Sequence, residues 1–511
     1  MTRRFAMFGA VLVALAVVYV LAWRTQPGAA RTAGQSEAPQ TVAVTSVTRS
    51  CPPPAPKTGA AHIAMIAMPA QNAAKTGAGS GPGTTVAGSA MLSAVPATAA
   101  QAAKAPAAKA PAAKAAPGTG GAQPVTVSVP GALTTVTAPA ATGSGGTAIA
   151  AAGQMAEGFE AEQANASGMG VVSCTHPESD MWFVGTGAGA GASDIRLYLM
   201  NTGDMAATAS VTIITDTGLQ TGLNTGITVA PHQFVTESIA PLVRGSAAVG
   251  LHVQTTSGQV AASVWESSGG SGAWLPQASA PSTHLVVPGL TVASSAARLF
   301  VTVPGAVDAQ LRVVAFTAQG KFPQFGSTPV DAPAGATSSF ALSSLGASAA
   351  GLALSSSVPI IAGVLVPGTG IGSFTAAAAP VTQQGVVAGN PATRGLTVGL
   401  VLTAPATAAH ADITVIGAGN AGGPTAGSPQ AVTVPAGHTL AMAVPRPGNS
   451  RQPFAIVITP LAGSGPLYAA RVVTTGAGGL SAAVSSLLPV PSALTTITLP
   501  FARNSYTAVL P

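Results

Sequence analysis

The chain has 511 residues, of which 47% are hydrophobic and only 7% charged, against about a quarter charged in an average soluble protein. That length allows about three or four domains, and the low charge, with only 4% aromatic residues, fits a β-rich exported protein better than a cytosolic helical one. The formal net charge of +6 does not make a nucleic-acid binder, because Lys57, Lys75, Lys104, Lys109 and Lys114 lie in one low-complexity stretch and Arg3, Arg4, Arg24 and Arg31 flank the first apolar segment. From residue 171 onward ten basic residues balance ten acidic ones, and counterion-release binding needs clustered cations.

Residues 5–23 (FAMFGAVLVALAVVYVLAW) run without a charge. As a helix these nineteen residues would span about 28 Å, close to the hydrocarbon thickness of a bilayer. Tyr19 and Trp23 stand near one end, where amphipathic rings favour the interface. Arg3, Arg4 and the amino terminus precede the segment, so the positive-inside bias predicts residues 1–4 in the cytoplasm and residues 24–511 outside. A cleaved signal peptide is the competing reading, with Pro27-Gly28-Ala29-Ala30 as its site. The uncleaved anchor is preferred because the apolar run is long for a signal peptide.

The cysteines are Cys51 and Cys174. Outside the cytoplasm they are expected to pair; two buried thiols are the alternative. Residues 41–50 (TVAVTSVTRS) alternate like a strand, and residues 171–174 are another strand-like piece. Between them, residues 56–122 are rich in Ala, Pro, Gly and Lys, and residues 104–117 (KAPAAKAPAAKAAP) read as a flexible, partly extended spacer. Residues 24–170 are therefore divided into an early strand, this spacer and short strands near 124–137.

The rest carries an internal repeat. An alternating strand opens each copy at residues 195–199, 298–303 and 396–402, and a second follows at 209–214, 309–316 and 411–416. A Val-x-Pro-like corner comes next at Val229, Val330 and Val434, spaced by 101 and 104 residues. Residues 259–265, 359–366 and 467–473 close the copies. Period-2 alternation with turn signals every 8–12 residues predicts strands. The predicted fold class is all-β, with tandem Ig-like β-sandwich repeats over 171–290, 291–391 and 392–511 after one N-terminal transmembrane helix. A β-propeller with two blades per repeat is the alternative.

Cys51-Pro52, Trp182-Phe183-Val184-Gly185, the stretch 197–201, Trp274-Leu275-Pro276 and Val287-Pro288-Gly289 together resemble an actinobacterial family of membrane-anchored exported proteins of unknown function, often encoded near glycosyltransferases. The resemblance covers about residues 41–55 and 171–511. It implies a role in the envelope and brings no catalytic residues.

No pattern of residues specifies a reaction. His62, His176, His232, His252, His284, His410 and His438 include no HExxH arrangement, and there is no Gly-x-Ser-x-Gly elbow. His232 and His438 occupy similar corner positions and read as turn residues. The Gly-rich run 185–191 superficially resembles a phosphate loop, but a strand follows it rather than a helix, and it is read as a hairpin connection. Glu178 with Asp180 and Glu237 with Glu266 are the paired acids a glycosidase would need, and are read as surface or turn acids. Glu157, Glu160 and Glu162 (in MAEGFEAEQA) are read as the solvated face of a short helical piece rather than a metal site. Trp182, Trp265 and Trp274 could form a sugar-stacking platform or anchor a core, the latter preferred.

The expectation is a non-enzymatic envelope scaffold or interaction protein with no cofactor and no metal. Its partners would be the membrane through residues 5–23 and cell-wall polysaccharide or envelope proteins, and no nucleic acid. A carbohydrate-binding accessory to polysaccharide assembly is the alternative, and an envelope hydrolase the third reading.

Overall fold

β-branched residues alternating with small ones suit a half-buried pleated surface, and the protein is all-β. A computed structural model describes residues 40–56, 61–69, 88–98, 125–138, 145–165, 170–220, 226–291, 296–342, 349–368, 370–420, 423–448, 451–476 and 478–499. The apolar segment 5–23 and the spacer 104–117 lie outside the described residues. Among those described, no helix is long and apolar enough to cross a membrane. The chain divides into two compact units. The smaller combines Met1–Val42 with Thr496–Pro511, and its described part pairs Gln40–Ala43 with Thr496–Leu499. The larger is Ala43–Thr495, and all that follows concerns it.

Its described strands make four two-sheet modules in succession. In the second, one sheet has the order Asp180–Thr186, Ala248–Ser257, Ala207–Thr215, Gly218–Gln220, with Ile227–Val229 also beside Ala207–Thr215. The other has the order Gln233–Ser238, Asp194–Asn201, Ala261–Ser268, Ser271–Leu275. All of these pairings are antiparallel. Alternate residues of both sheets, among them Leu197, Leu199, Val211, Ile213, Leu251 and Val264, meet in one core. The chain crosses between the sheets repeatedly, so neither sheet is the run of four consecutive strands that makes a propeller blade.

The plan recurs. In the third module Ala309–Thr317, Arg298–Thr302 and Ser282–Leu290 occupy the places of Ala207–Thr215, Asp194–Asn201 and Asp180–Thr186. The seventeen-residue strand Ala350–Val366 serves both sheets: its first half pairs with Ala309–Thr317, its second with Arg298–Thr302. In the second module the same path is broken by a turn at Gly258, whose φ of 67° suits glycine. In the fourth it is split into Phe454–Pro460 and Tyr468–Thr475.

The first module is a departure from the sequence reading, which treated residues 24–170 as a spacer with short strands. Ser46–Cys51, Gly146–Ala152, Ser89–Val95 and Val125–Val127 make one sheet, and Thr134–Thr137, Ala61–Ile66, Glu160–Asn165 and Val172–Ser173 the other. Their inner faces share a core with Ile63, Met65, Leu92 and Ile149. The stretch MAEGFEAEQA is likewise not helical. A 3₁₀ turn at Gly153–Met155 leads into the strand Glu160–Asn165, in which Ala161 joins the core.

The modules also pack on one another, each first sheet against the second sheet of the next module. Val95 meets Met200, Phe234 and Trp265. Val184 and Ile214 meet Phe300 and Ile361. Val401, Ala470 and Val472 join the cluster that contains Leu285 and Val287. Val386, Ala388 and Val457 of the fourth module pack on Ala64 and Ile66 of the first. Eight sheets thus follow one another face to face around a closed ring, and an apolar cluster of this kind is what stabilises each layer against the next.

Candidate binding cleft

After its last strand each of the first three modules hands the chain to the next, while the fourth returns it to its own first sheet at Ser492–Ala493, and these four handover segments converge. Residues 171–176, 274–279, 377–379 and 487–492 line one cleft of about 360 Å³. Backbone hydrogen bonds fix them: Cys174 N donates to Ala161 O (2.9 Å), Ala278 N to Trp182 O (2.8 Å), Ser279 N to Ala377 O (2.8 Å) and Val490 N to Ala469 O (2.9 Å). The cystine Cys51–Cys174 ties the first of these segments to the strand Ser46–Cys51, the pairing expected from the sequence.

One wall of the cleft is polar. Arg49 Nη2 donates to Glu160 Oε1 at 2.6 Å and to Phe159 O at 3.3 Å. Burial pushes the Glu160 carboxyl above its ordinary pKa, and the Arg49 charge and hydrogen bond oppose that rise. His176 Nε2 lies 2.6 Å from Glu178 Oε1, and Gln277 Nε2 donates to Glu178 Oε2 at 2.9 Å. Other lining residues are apolar: Ala377, Ala378 and Ala379 from one segment, Leu488, Pro489 and Val490 from another. Thr175, next to His176, donates its hydroxyl to Ala262 O (3.4 Å) rather than to the His176 ring. Among the described residues no three His, Cys, Asp or Glu side chains come together in a way that could hold a metal ion.

The three tryptophans are buried and do not share a surface. Trp265 and Trp274 are in register on adjacent strands and meet edge to face, centroids 5.1 Å apart, within the boundary between the first two modules. Trp182 lies at the opposite boundary, its face covered by His252 at 3.8 Å with 5° between the planes. Asp180 holds that histidine at 3.3 Å, and burial lowers the His252 pKa against the pull of Asp180. Of the three, Trp274 alone lines the cleft.

The acids depart furthest from their sequence reading. Glu266 is not a surface acid: it is 0% exposed, and the Thr186 backbone amide is the polar group that bears on its carboxyl. Glu237 does not join it, since the strand Asp194–Asn201 runs between theirs. Glu160 and Glu162 are no solvated face either. Glu162 accepts from the amides of Ala388 (3.2 Å) and Gly389 (3.1 Å) across the first–fourth boundary. Burial raises its pKa, with the charge of fully buried Arg471 acting the other way. A lone arginine within the alternating run 41–50 was the sequence signal for the Arg49–Glu160 pair.

At the corners, His232 is a non-glycine residue at φ 52°, hydrogen-bonded by Nε2 to Asp204 Oδ1 at 2.9 Å. Gly335 and Gly437 take the same left-handed place in the next two modules, at φ 62° and 74°. His438 is therefore one residue past the equivalent of His232. The glycine-rich run 185–191 ends the strand Asp180–Thr186 and makes a 3₁₀ turn at Ala188–Ala190, with no helix behind it to bind phosphate.

Over residues 125–445 the chain matches DUF5719, described as a family of unknown function. No curated protein matches it.

Proposed function

The chain belongs to the DUF5719 family, and from that premise we propose that it is a non-catalytic scaffold or interaction protein of the cell envelope. In this reading residues 5–23 anchor it in the membrane and the ring stands outside the cytoplasm. Each module is then an Ig-like sandwich with a rearranged strand order. The observation that carries the reading is ring closure: four modules bury their faces on one another and bring four handover segments to one cleft. That is a frame for binding, and in the cleft Thr175 donates its hydroxyl to Ala262 O rather than to His176. The cystine Cys51–Cys174 supports an oxidising compartment. The resemblance to exported actinobacterial proteins encoded near glycosyltransferases supports an envelope role.

The test is topology of the full chain in intact cells, read by protease accessibility and by a reporter on the C-terminus. The expected result is a membrane-bound protein whose ring is cut only from outside. A C-terminal reporter active in the cytoplasm would overturn the reading.

A further inference from the structure

We propose that the cleft where the four handover segments meet is a binding site for a neutral, hydroxyl-rich ring with an apolar face, the chemistry of an uncharged sugar unit. The proposal rests on reading this protein as a non-catalytic binding frame, and it names the ligand class.

Charge is the first argument. The titratable side chains at the cleft are already paired, Arg49 with Glu160 and His176 with Glu178. Arg49 and Glu160 are 12% and 4% exposed at the side chain. An ionic ligand could reach the Arg49 or Glu160 charge only by breaking that largely desolvated pair, which is costly; the His176–Glu178 contact is more open, at 56% and 24% exposed. An uncharged ligand avoids that cost.

Hydrogen-bonding capacity is the second. Beyond the paired groups, neutral polar side chains line the cleft, among them Ser173, Gln277 and Ser279. Hydroxyl groups can both donate to and accept from such side chains, whereas a hydrocarbon can do neither. Gln277, which holds Glu178, adds an amide on the same wall.

Shape is the third. Ala379, Leu488, Pro489, Pro491 and Trp274 supply apolar surface to the same cleft. Trp265 and Tyr198 brace Trp274, at centroid distances of 5.1 and 5.7 Å. A sugar ring has hydroxyls around its edge and C–H groups on its faces, so one molecule can use both kinds of surface. The volume of about 360 Å³ falls within the range of small-molecule sites.

The test uses the purified full chain in detergent, with saturation-transfer NMR and titration calorimetry. The probes are glucose, galactose, mannose and arabinose, with glucuronate and glucosamine as the charged counterparts. The expected result is saturable binding of at least one neutral sugar and binding of the charged sugars weaker by about tenfold. Ala379→Trp fills the cleft from its exposed rim and Gln277→Ala removes the amide. Each should weaken binding by about tenfold or more with an unchanged unfolding temperature. The proposal is overturned if folded protein binds none of the neutral sugars up to about 10 mM. It is overturned equally if the charged sugars bind as tightly, or if Ala379→Trp binds like the wild type. Absence of sugar binding with the ring still exported removes this ligand class and leaves the envelope frame. A cytoplasmic C-terminus removes the frame instead.

Discussion

Gly250 and Thr302 touch across the boundary between the second and third modules so closely that a Cβ on the glycine would collide with the threonine hydroxyl. That hydroxyl is bonded to Thr337 Oγ1 at 2.9 Å, and Thr337 donates in turn to Ile214 O at 2.8 Å. The contact repeats one module on, where Gly351 stands against Thr403, and Thr403 is bonded to Thr439 at 2.9 Å. Gly250→Ala is therefore expected to destabilise the ring by about 1–3 kcal/mol, the usual cost of overpacking. Adding Thr302→Ala should recover part of the loss, because it removes the obstructing group. Thermal unfolding of the two single variants and the double variant measures this. Strictly additive losses would show that the two residues do not touch.

Glu266 sits inside the second module with Gly185 beside it; a Cβ on that glycine would come within 2.9 Å of Glu266 Oε2. Burial raises the Glu266 pKa well above that of a free carboxyl, while the Thr186 amide opposes the rise. A carboxyl with a raised folded-state pKa contributes stability that is fully present below its unfolded pKa and is lost as pH rises through the folded value. Glu266→Gln removes this titration and nearly keeps the shape. It should be more stable than the wild type at pH 8 by about 1–3 kcal/mol, with the gap narrowing toward pH 5. Glu160 and Glu162 have raised pKa values as well, so some pH slope should remain in the variant. Urea midpoints at the two pH values decide it; equal gaps at both would mean Glu266 does not titrate between them.

The repeated strands were legible because their alternation and corner spacing survive in three copies: Asp194–Asn201, Arg298–Thr302 and Leu396–Ala404 fill equivalent places. The first module was not, since low-complexity stretches separate its strands and break the hundred-residue rhythm. Ring closure left no trace either. Its contacts are made by small residues such as Gly250 and Ala388, and small residues are everywhere in this chain. The cleft was half visible: Trp274 and the two cysteines stood out, whereas Glu160 read as a solvated acid and Arg49 and Gln277 were not singled out. Buried acids are misread for the same reason, because a charge in a sequence signals solvent until its partner is known.

Glu162 is such a case, and it locates the seam of the ring. Its two oxygens take the amides of Ala388 and Gly389, where the register of Gln384–Asn390 shifts against Phe454–Pro460. Glu162→Ala would leave both buried amides without their acceptor, at a cost of about 1–3 kcal/mol. Hydrogen exchange should quicken at Ala388 and Gly389 well before it does at Leu251 in the second module. A uniform increase across all four modules would place the damage elsewhere than at the seam.

The cystine lies in the core of the first module, beside the strand that carries Glu162. Cys51 and Cys174 are 123 residues apart, so the bond closes a long loop and removes much freedom from the unfolded chain. In the chain-entropy account that is worth about 4–5 kcal/mol. It also fixes residues 171–176, one of the four segments at the cleft. Cys51→Ser with Cys174→Ser should therefore lower stability by about that amount and, separately, loosen the His176–Glu178 wall. Unfolding midpoints report the first effect and sugar titration the second. Reducing agent should bring wild-type protein to the same midpoint as the double variant and leave the variant unchanged, whereas a reductant-sensitive variant would show that another group is responsible.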